Sequence, residues 1–208
     1  TIQEGKYNEH NWNDAGYYAV GVKEHFTNPD ISAKSNDWQL GWVGGGMITY
    51  PLLFQGNDLS RKRALHNLEW MFSKCQLPSG LFAPIIHCGK TYSDHFYDPV
   101  GSPWAMVRKE ADALYFLMKH FALLEKQEPG WRLPQHWDKG TRKLCDLFCS
   151  VFAKNGQLGQ FIEMNTGEIV IGGSTASAIA PSGLALASMR FHEPRYLDTA
   201  ERIARQLY

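Results

Sequence analysis

Apolar residues recur three and four positions apart along most of the chain after residue 43, which is typical of amphipathic helices. Punctuating residues agree with this pattern, since Gly56, Gly130 and Gly156 follow apolar-periodic stretches and Pro194 suits the first turn of a helix. The pattern predicts six helices. They cover about residues 44–55, 60–75, 108–127, 134–155, 175–191 and 194–207.

The six predicted helices alternate between two kinds. The first, third and fifth have broad apolar or small-residue surfaces, whereas the second, fourth and sixth carry an apolar stripe opposite a charged face. Links within each pair are short, and stretches rich in Gly, Trp, Asp and His separate the pairs. We therefore expect an all-α domain of three antiparallel hairpins over residues 44–208, after a loop-rich segment 1–43. The inner helices would be more buried than the outer ones, with the long loops together on one face.

Short β-hairpins are expected inside the long loops. GLFAPII, and GQFIEM followed by GEIVIGG, have the alternation of short strands, and residues 165–167 (NTG) suit the turn between the last two. A weak internal repeat accompanies them, because FSK at 72–74 before GLF at 80–82 resembles FAK at 152–154 before GQF at 159–161. Each copy closes an outer helix and opens a long loop, as a repeated helical hairpin would.

Composition and charge restrict the classes of function. Lys and Arg number 21 against 21 Asp and Glu, so no net charge attracts a nucleic acid. No stretch of about 18 apolar residues occurs, which argues against membrane insertion. Four cysteines fit no zinc spacing and are expected as free thiols. We expect no metal, no cofactor, no nucleic-acid partner and no membrane partner; the compartment stays open between cytoplasm, periplasm and secretion.

Four segments point to a known family. NDWQLGWVGGG, RKEADALYFL, GQLGQFIEMNTGEIVIGGST and HEPRYLDTAERIA, set in paired helices, make the chain from about residue 36 to 208 resemble the six-hairpin glycosidase superfamily. The resemblance implies an (α/α)6 toroid fold and a carbohydrate substrate. A toroid needs six hairpins and three are visible, so the resemblance also implies that sequence beyond Tyr208 or another chain covers the exposed core.

Aromatic and polar side chains occur together in the long loops, and this mixture is typical of sugar binding. Sugar rings stack on Trp or Tyr, while their hydroxyls bond to charged and polar groups. The alternative is that the tryptophans cap the helix layers and the polar groups satisfy the loops. The residues predicted to bind substrate are Trp38, Trp42, His95, Trp104, Arg108, Glu110, Asp112 and Glu168.

Glycoside hydrolysis needs one carboxylic acid to protonate the leaving oxygen and one carboxylate to activate water or attack carbon. Asp37 and Asp94 lie in the predicted mouth loops and are the first candidates for this pair. Glu110, Asp112 and Glu168 follow, although carboxylates in the first turn of a helix, such as Glu110 and Asp112, also offset its dipole without catalysing anything. The toroid resemblance favours hydrolysis with inversion at the anomeric carbon.

Other functions remain open on the same residues. A polysaccharide lyase or a sugar epimerase would use the same fold, and a lyase would make Tyr92, His95 and Arg108 central, with Arg108 neutralising a uronate. A non-catalytic glycan-binding or scaffold module is the alternative from another class. It predicts that Asp37 and Asp94 can be replaced without loss of function.

Overall fold

The computed structural model describes residues 12, 16–18, 38–41, 45–87, 90–94, 103–175 and 177–206. Within these ranges six α-helices form the body of the molecule. They are α1 (Thr49–Gln55), α2 (Asp58–Trp70), α3 (Val107–Gln127), α4 (Gln135–Asn155), α5 (Ala180–Phe191) and α6 (Pro194–Gln206), and a π-helical turn, Met71–Cys75, continues α2. Six short strands accompany them, namely β1 (Trp38–Gln39), β2 (Ile85–His87), β3 (Lys90–Tyr92), β4 (Trp104–Met106), β5 (Phe161–Glu163) and β6 (Ile169–Ile171).

The helices form three hairpins in two layers, which confirms the predicted fold class. α1 packs on α2 and α5 on α6, while the inner helices α1, α3 and α5 also pack against one another in sequence. The inner layer is the more buried one, since α3 buries 13 of its 21 residues and α4 buries nine of 21. No helix in the ranges given above is long and apolar enough to cross a membrane.

Three predicted helix starts are wrong. α1 begins at Thr49 instead of residue 44, because the described residues before it form turns, with Gly46 at φ +66°. α5 begins at Ala180 instead of 175, after a turn over 177–179. α2 begins at Asp58, two residues before the predicted start at residue 60. The Asn57 side chain accepts a 2.9 Å hydrogen bond from the Ser60 N–H and caps the helix.

Two three-stranded antiparallel sheets repeat the same topology, in the orders β1-β2-β3 and β4-β5-β6. In each sheet, the strand before an inner helix (β1 or β4) pairs with the first strand (β2 or β5) of a β-hairpin. That β-hairpin follows the next outer helix. Equivalent hydrogen bonds extend both sheets, from Leu40 N–H to the Pro84 carbonyl and from Val107 N–H to the Gln160 carbonyl, each 3.0 Å. The sheets therefore lie at the N-terminal ends of α1 and α3, where the long loops were predicted to emerge.

The predicted hairpin over residues 161–171 is confirmed. Its turn contains Gly167 at φ +72°, and the Glu163 carboxylate accepts hydrogen bonds from the N–H groups of Asn165 and Thr166. In GLFAPII only Ile85 and Ile86 join a strand, whereas Phe82 makes an isolated bridge to Gln76.

A buried histidine joins the first two inner helices. His120 hydrogen-bonds through Nδ1 to the Phe116 carbonyl and through Nε2 to the Thr49 hydroxyl, at 2.9 Å. Because a carbonyl only accepts, Nδ1 carries the hydrogen and Nε2 is the acceptor. Burial lowers the pKa of His120 to about 4, so the contact between α1 and α3 is made by a neutral ring at physiological pH.

The outer layer offers a test of core packing at Gly140 in α4. A Cβ there would lie 2.3 Å from Gln76 Oε1 and 2.8 Å from Phe72 Cδ1. Replacing Gly by Ala inside an ordinary helix stabilises it by about 1 kcal/mol. We expect Gly140→Ala to destabilise the protein instead, by about 1–3 kcal/mol, because the neighbours must move. Urea unfolding measures the difference.

Ser150→Ala, on the exposed side of the same helix, is the matched control and should change the unfolding free energy by less than about 0.5 kcal/mol. A Gly140→Ala protein as stable as the Ser150→Ala protein would contradict the close packing of α4 against Phe72.

Candidate functional site

Neighbours cover α3 on three sides. α1 meets it at His120, which bonds to Thr49. α5 meets it at Leu114, whose side chain lies 2.9 Å from the position of a Cβ on Gly183. The outer layer meets it at Phe121, which packs against aromatic rings of α4 and the π-helical turn.

The fourth side of α3 carries Arg108, Asp112, Tyr115 and Lys119. Their spacing of four, three and four residues places them on one stripe, which lies opposite Phe121 on a helical wheel. We call this stripe the inner wall, because it points away from the outer helices. At 1.5 Å per residue it runs about 16 Å, from the sheet end at Arg108 inward to Lys119.

An ion pair occupies the sheet end of the inner wall. Arg108 Nε donates a 2.9 Å hydrogen bond to Asp112 Oδ2, with side-chain exposures of 52% for Arg108 and 5% for Asp112. Burial raises the pKa of Asp112 above its usual 3.8, although the hydrogen bond and charge of Arg108 oppose the rise. Asp112 is thus a carboxyl group that retains its proton more readily than an exposed one, beside a cation that can contact a ligand.

Trp104 lies at the same end, in β4, four residues before Arg108. Its indole is half-buried, and its ring centroid is 5.9 Å from that of Phe161 at a tilted angle. Partly exposed indoles combine an apolar face with an N–H donor. The structure therefore brings Trp104, Arg108 and Asp112, three of the residues predicted to bind substrate, to one end of α3.

Asp94 has a different environment from the one that a catalytic acid requires. Its Oδ2 accepts a 2.7 Å hydrogen bond from Met106 N–H, and its Oδ1 accepts one from the Lys109 ammonium. The side chains of Asp94 and Lys109 are each 2% exposed. With both oxygens engaged and sealed from solvent, Asp94 anchors the chain ahead of β4 to the first turn of α3. The catalytic role of Asp94 remains a prediction.

Glu110 is also closed to solvent, so it is not placed to contact a substrate. Its Oε2 accepts a 3.1 Å hydrogen bond from Phe82 N–H, and its Oε1 has no hydrogen-bond partner among the described residues. Burial raises the pKa of Glu110 well above 4.5, and the charge of Asp94 adds to the rise, while the Phe82 N–H and Lys109 oppose it. Glu110 is thus a core carboxyl group that holds its proton more strongly than an exposed one.

Two further predicted residues lie away from the inner wall. Trp38 is fully buried, with its ring edge-on to Trp70 at 5.1 Å, so no face is open to a sugar. Glu168 is exposed and pairs at 3.0 Å with Lys154 near the end of outer helix α4. Asp37, Trp42 and His95 lie outside the described residues.

The sequence analysis did not single out Tyr115 and Lys119. Their positions relative to Arg108 and Asp112 continue one helical stripe, and this spacing was the available signal. Among the residues that the structure describes, no group of three His, Cys, Asp or Glu side chains is arranged to hold a metal ion.

This architecture is that of the six-hairpin (α/α)6 toroids, of which three hairpins are seen. The chain is similar to a D-mannose isomerase structure, with a TM-score of 0.65 and 14% identity over 98% of this chain and 50% of that one. It is also similar to the unsaturated glucuronyl hydrolase of Bacillus sp. GL1, with a TM-score of 0.50 and 14% identity over 77% of this chain and 43% of that one. The chain thus spans about half the length of these structures. No family model and no curated protein sequence matches it.

The protonation of Glu110 can be tested by pH. Above pH 4.5 the unfolded state releases this proton while the folded state keeps it, so the group reduces stability as pH rises toward its folded pKa. Glu110→Gln mimics the neutral acid and removes this loss. We expect the variant to be at least as stable as the wild type at pH 7.5, with its advantage smaller at pH 4, by urea unfolding.

Glu201→Gln, on the exposed face of α6, is the control and should show no such pH-dependent difference. A Glu110→Gln protein that loses several kcal/mol at pH 7.5 only would mean that the native state needs the ionised carboxylate.

Proposed function

We propose that the sheet end of the inner wall is part of the active site of a carbohydrate-active enzyme, and that this enzyme is a glycoside hydrolase. The observation that carries the proposal is Asp112, a carboxyl with a raised pKa held on the inner wall by Arg108, close in sequence to the half-buried Trp104. The fold supports it, because similar structures are named as a sugar isomerase and a glucuronyl hydrolase. Trp104 would stack on a sugar ring, and Arg108 would orient its hydroxyls or an acidic substituent.

Hydrolysis requires a proton donor and a second carboxylate. Asp112 suits the donor, since burial favours its protonated form and only its Oδ2 accepts a hydrogen bond from Arg108. Asp37, directly before β1 in the chain, remains the proposed second carboxylate. In an inverting enzyme the two carboxyl groups stand about 6.5–9.5 Å apart, which leaves room for the attacking water. Asp94 would act indirectly, by holding the first turn of α3 in place.

Three further hairpins would complete the toroid. We infer that they come from the remainder of a longer polypeptide or from another chain, and that they cover the flanks of α1 and α5. Large apolar side chains exposed on or beside these helices support this, notably Met47, Phe54 and Met189, the last 74% exposed. The added inner helices would supply the remaining substrate contacts.

A sugar isomerase is the second candidate. The D-mannose isomerase structure matches 98% of this chain with the higher TM-score of the two. An isomerase moves a proton between neighbouring carbons and releases no second sugar, so its product distinguishes it from a hydrolase.

The experiment is an assay of the complete protein on a panel of oligosaccharides and free aldoses. We expect Asp112→Asn to lower kcat by at least about a hundredfold, the usual cost of losing a general acid, with a smaller change in KM. The acidic group should also appear as a limb of the wild-type pH profile that the variant lacks. NMR of the first product shows inversion, retention or an aldose-to-ketose conversion.

Asp198→Asn, an exposed carboxylate on α6, is the control and should turn over normally. Normal turnover by Asp112→Asn would remove Asp112 from the chemistry. Ketose formation without release of a second sugar would replace the hydrolase by the isomerase.

A further inference from the structure

Deeper on the inner wall, one ammonium group lies between two aromatic rings. Lys119 Nζ is 4.9 Å from the ring centroid of Tyr50 in α1 and 5.5 Å from that of Tyr115 in α3. All three side chains are partly exposed. Phe54 stacks on Tyr50 with centroids 6.3 Å apart and is 53% exposed, so aromatic surface continues along α1.

Lys119 lacks an anionic partner within the described part of the chain. The arginines of the inner helices α3 and α5, by contrast, are paired, Arg108 with Asp112 and Arg190 with Glu125. The contacts of Lys119 are cation–π contacts, which satisfy none of its three N–H donors with an oxygen. The Lys119 ammonium contacts two rings and has no oxygen partner among the described residues, so it is free to bind an anion.

We propose that Lys119, Tyr50 and Tyr115 bind the anionic group of an acidic sugar. The ammonium would form charge-assisted hydrogen bonds to a carboxylate or phosphate, and the tyrosine rings would contact the apolar face of the sugar. This inference rests on the proposed function and deepens it by naming the substrate class.

The position of Lys119 also orients the ligand. Seven residues separate it from Asp112 on the same stripe, a rise of about 10 Å. An acidic group at Lys119 therefore points inward, and the rest of the ligand extends toward Asp112 and Arg108 at the sheet end. The anionic sugar would lie at the inner end of the binding surface.

Calorimetric titration of the complete protein with glucuronate, glucose 6-phosphate and glucose tests the proposal. We expect at least one acidic sugar to bind about tenfold or more tightly than glucose, with the preference falling as salt is added. Lys119→Met should reduce the affinity for the acidic sugar to that for glucose. Lys126→Met, an exposed lysine in the last turn of α3, should leave both affinities unchanged.

Lys119→Gln provides a second variant with a polar, uncharged side chain, and thermal unfolding of each variant checks the fold. Equal binding of acidic and neutral sugars, unchanged in both Lys119 variants, would overturn this inference and leave the carbohydrate function standing. A carboxylate from another hairpin paired with Lys119 would give that result. Binding of no sugar would overturn both. Selectivity for glucuronate alone or for glucose 6-phosphate alone would support the proposal and identify the anion.

Discussion

The first turn of α3 fixes the sheets relative to the helices. Lys109 and Glu110 are adjacent and both buried, and each contacts a different segment of the first sheet region: Lys109 bonds to Asp94, two residues after β3, and Glu110 bonds to the Phe82 N–H ahead of β2. Gly41, just after β1, lies so close that a Cβ would be 2.8 Å from the Lys109 carbonyl oxygen. Since β4 leads directly into α3, one helical turn joins both sheets to the inner layer.

This arrangement buries charge, and its energetics differ from those of a surface ion pair. A buried pair gains little net free energy, because desolvation offsets its attraction, but removing one partner costs about 3–5 kcal/mol. The Asp94–Lys109 pair therefore fixes the position of the first turn of α3 and adds little net stability. The penalty is smaller for Glu110, because burial raises its pKa and so favours the uncharged form. Arg108 and Asp112 flank this turn on its open side, so their geometry is set by a rigid support.

Helical periodicity predicted the hairpins, the two layers and the face that carries the loops, because burial of one helix side leaves a regular pattern. The starts of α1 and α5 were misjudged where that pattern fades, in runs of Gly, Ala and Ser that suit a turn as well as a helix.

The candidate site was less predictable, since residue type does not encode burial. Trp38 and Trp104 carry the same indole, yet contact with Trp70 makes the first a core residue. Asp94 and Asp112 are likewise both aspartates, and a lysine 15 positions away from Asp94 decides its role. These outcomes depend on partners brought together by the tertiary fold. The stripe through Tyr115 and Lys119, by contrast, could be predicted from the sequence, because its residues are spaced three and four positions apart.

Each repeated unit consists of a strand, a helical hairpin and two further strands that complete its sheet. This repetition has a consequence for how such a molecule can evolve. The strands β1 and β4 make equivalent pairings in the two sheets. The first sheet ends at β3 and the second begins at β4, so the sequence that joins the two units lies between strands of different sheets. Loops between secondary-structure elements tolerate length changes well. A repeated unit of this kind lets the loops at the sheet end diversify while the layered helices beneath stay constant.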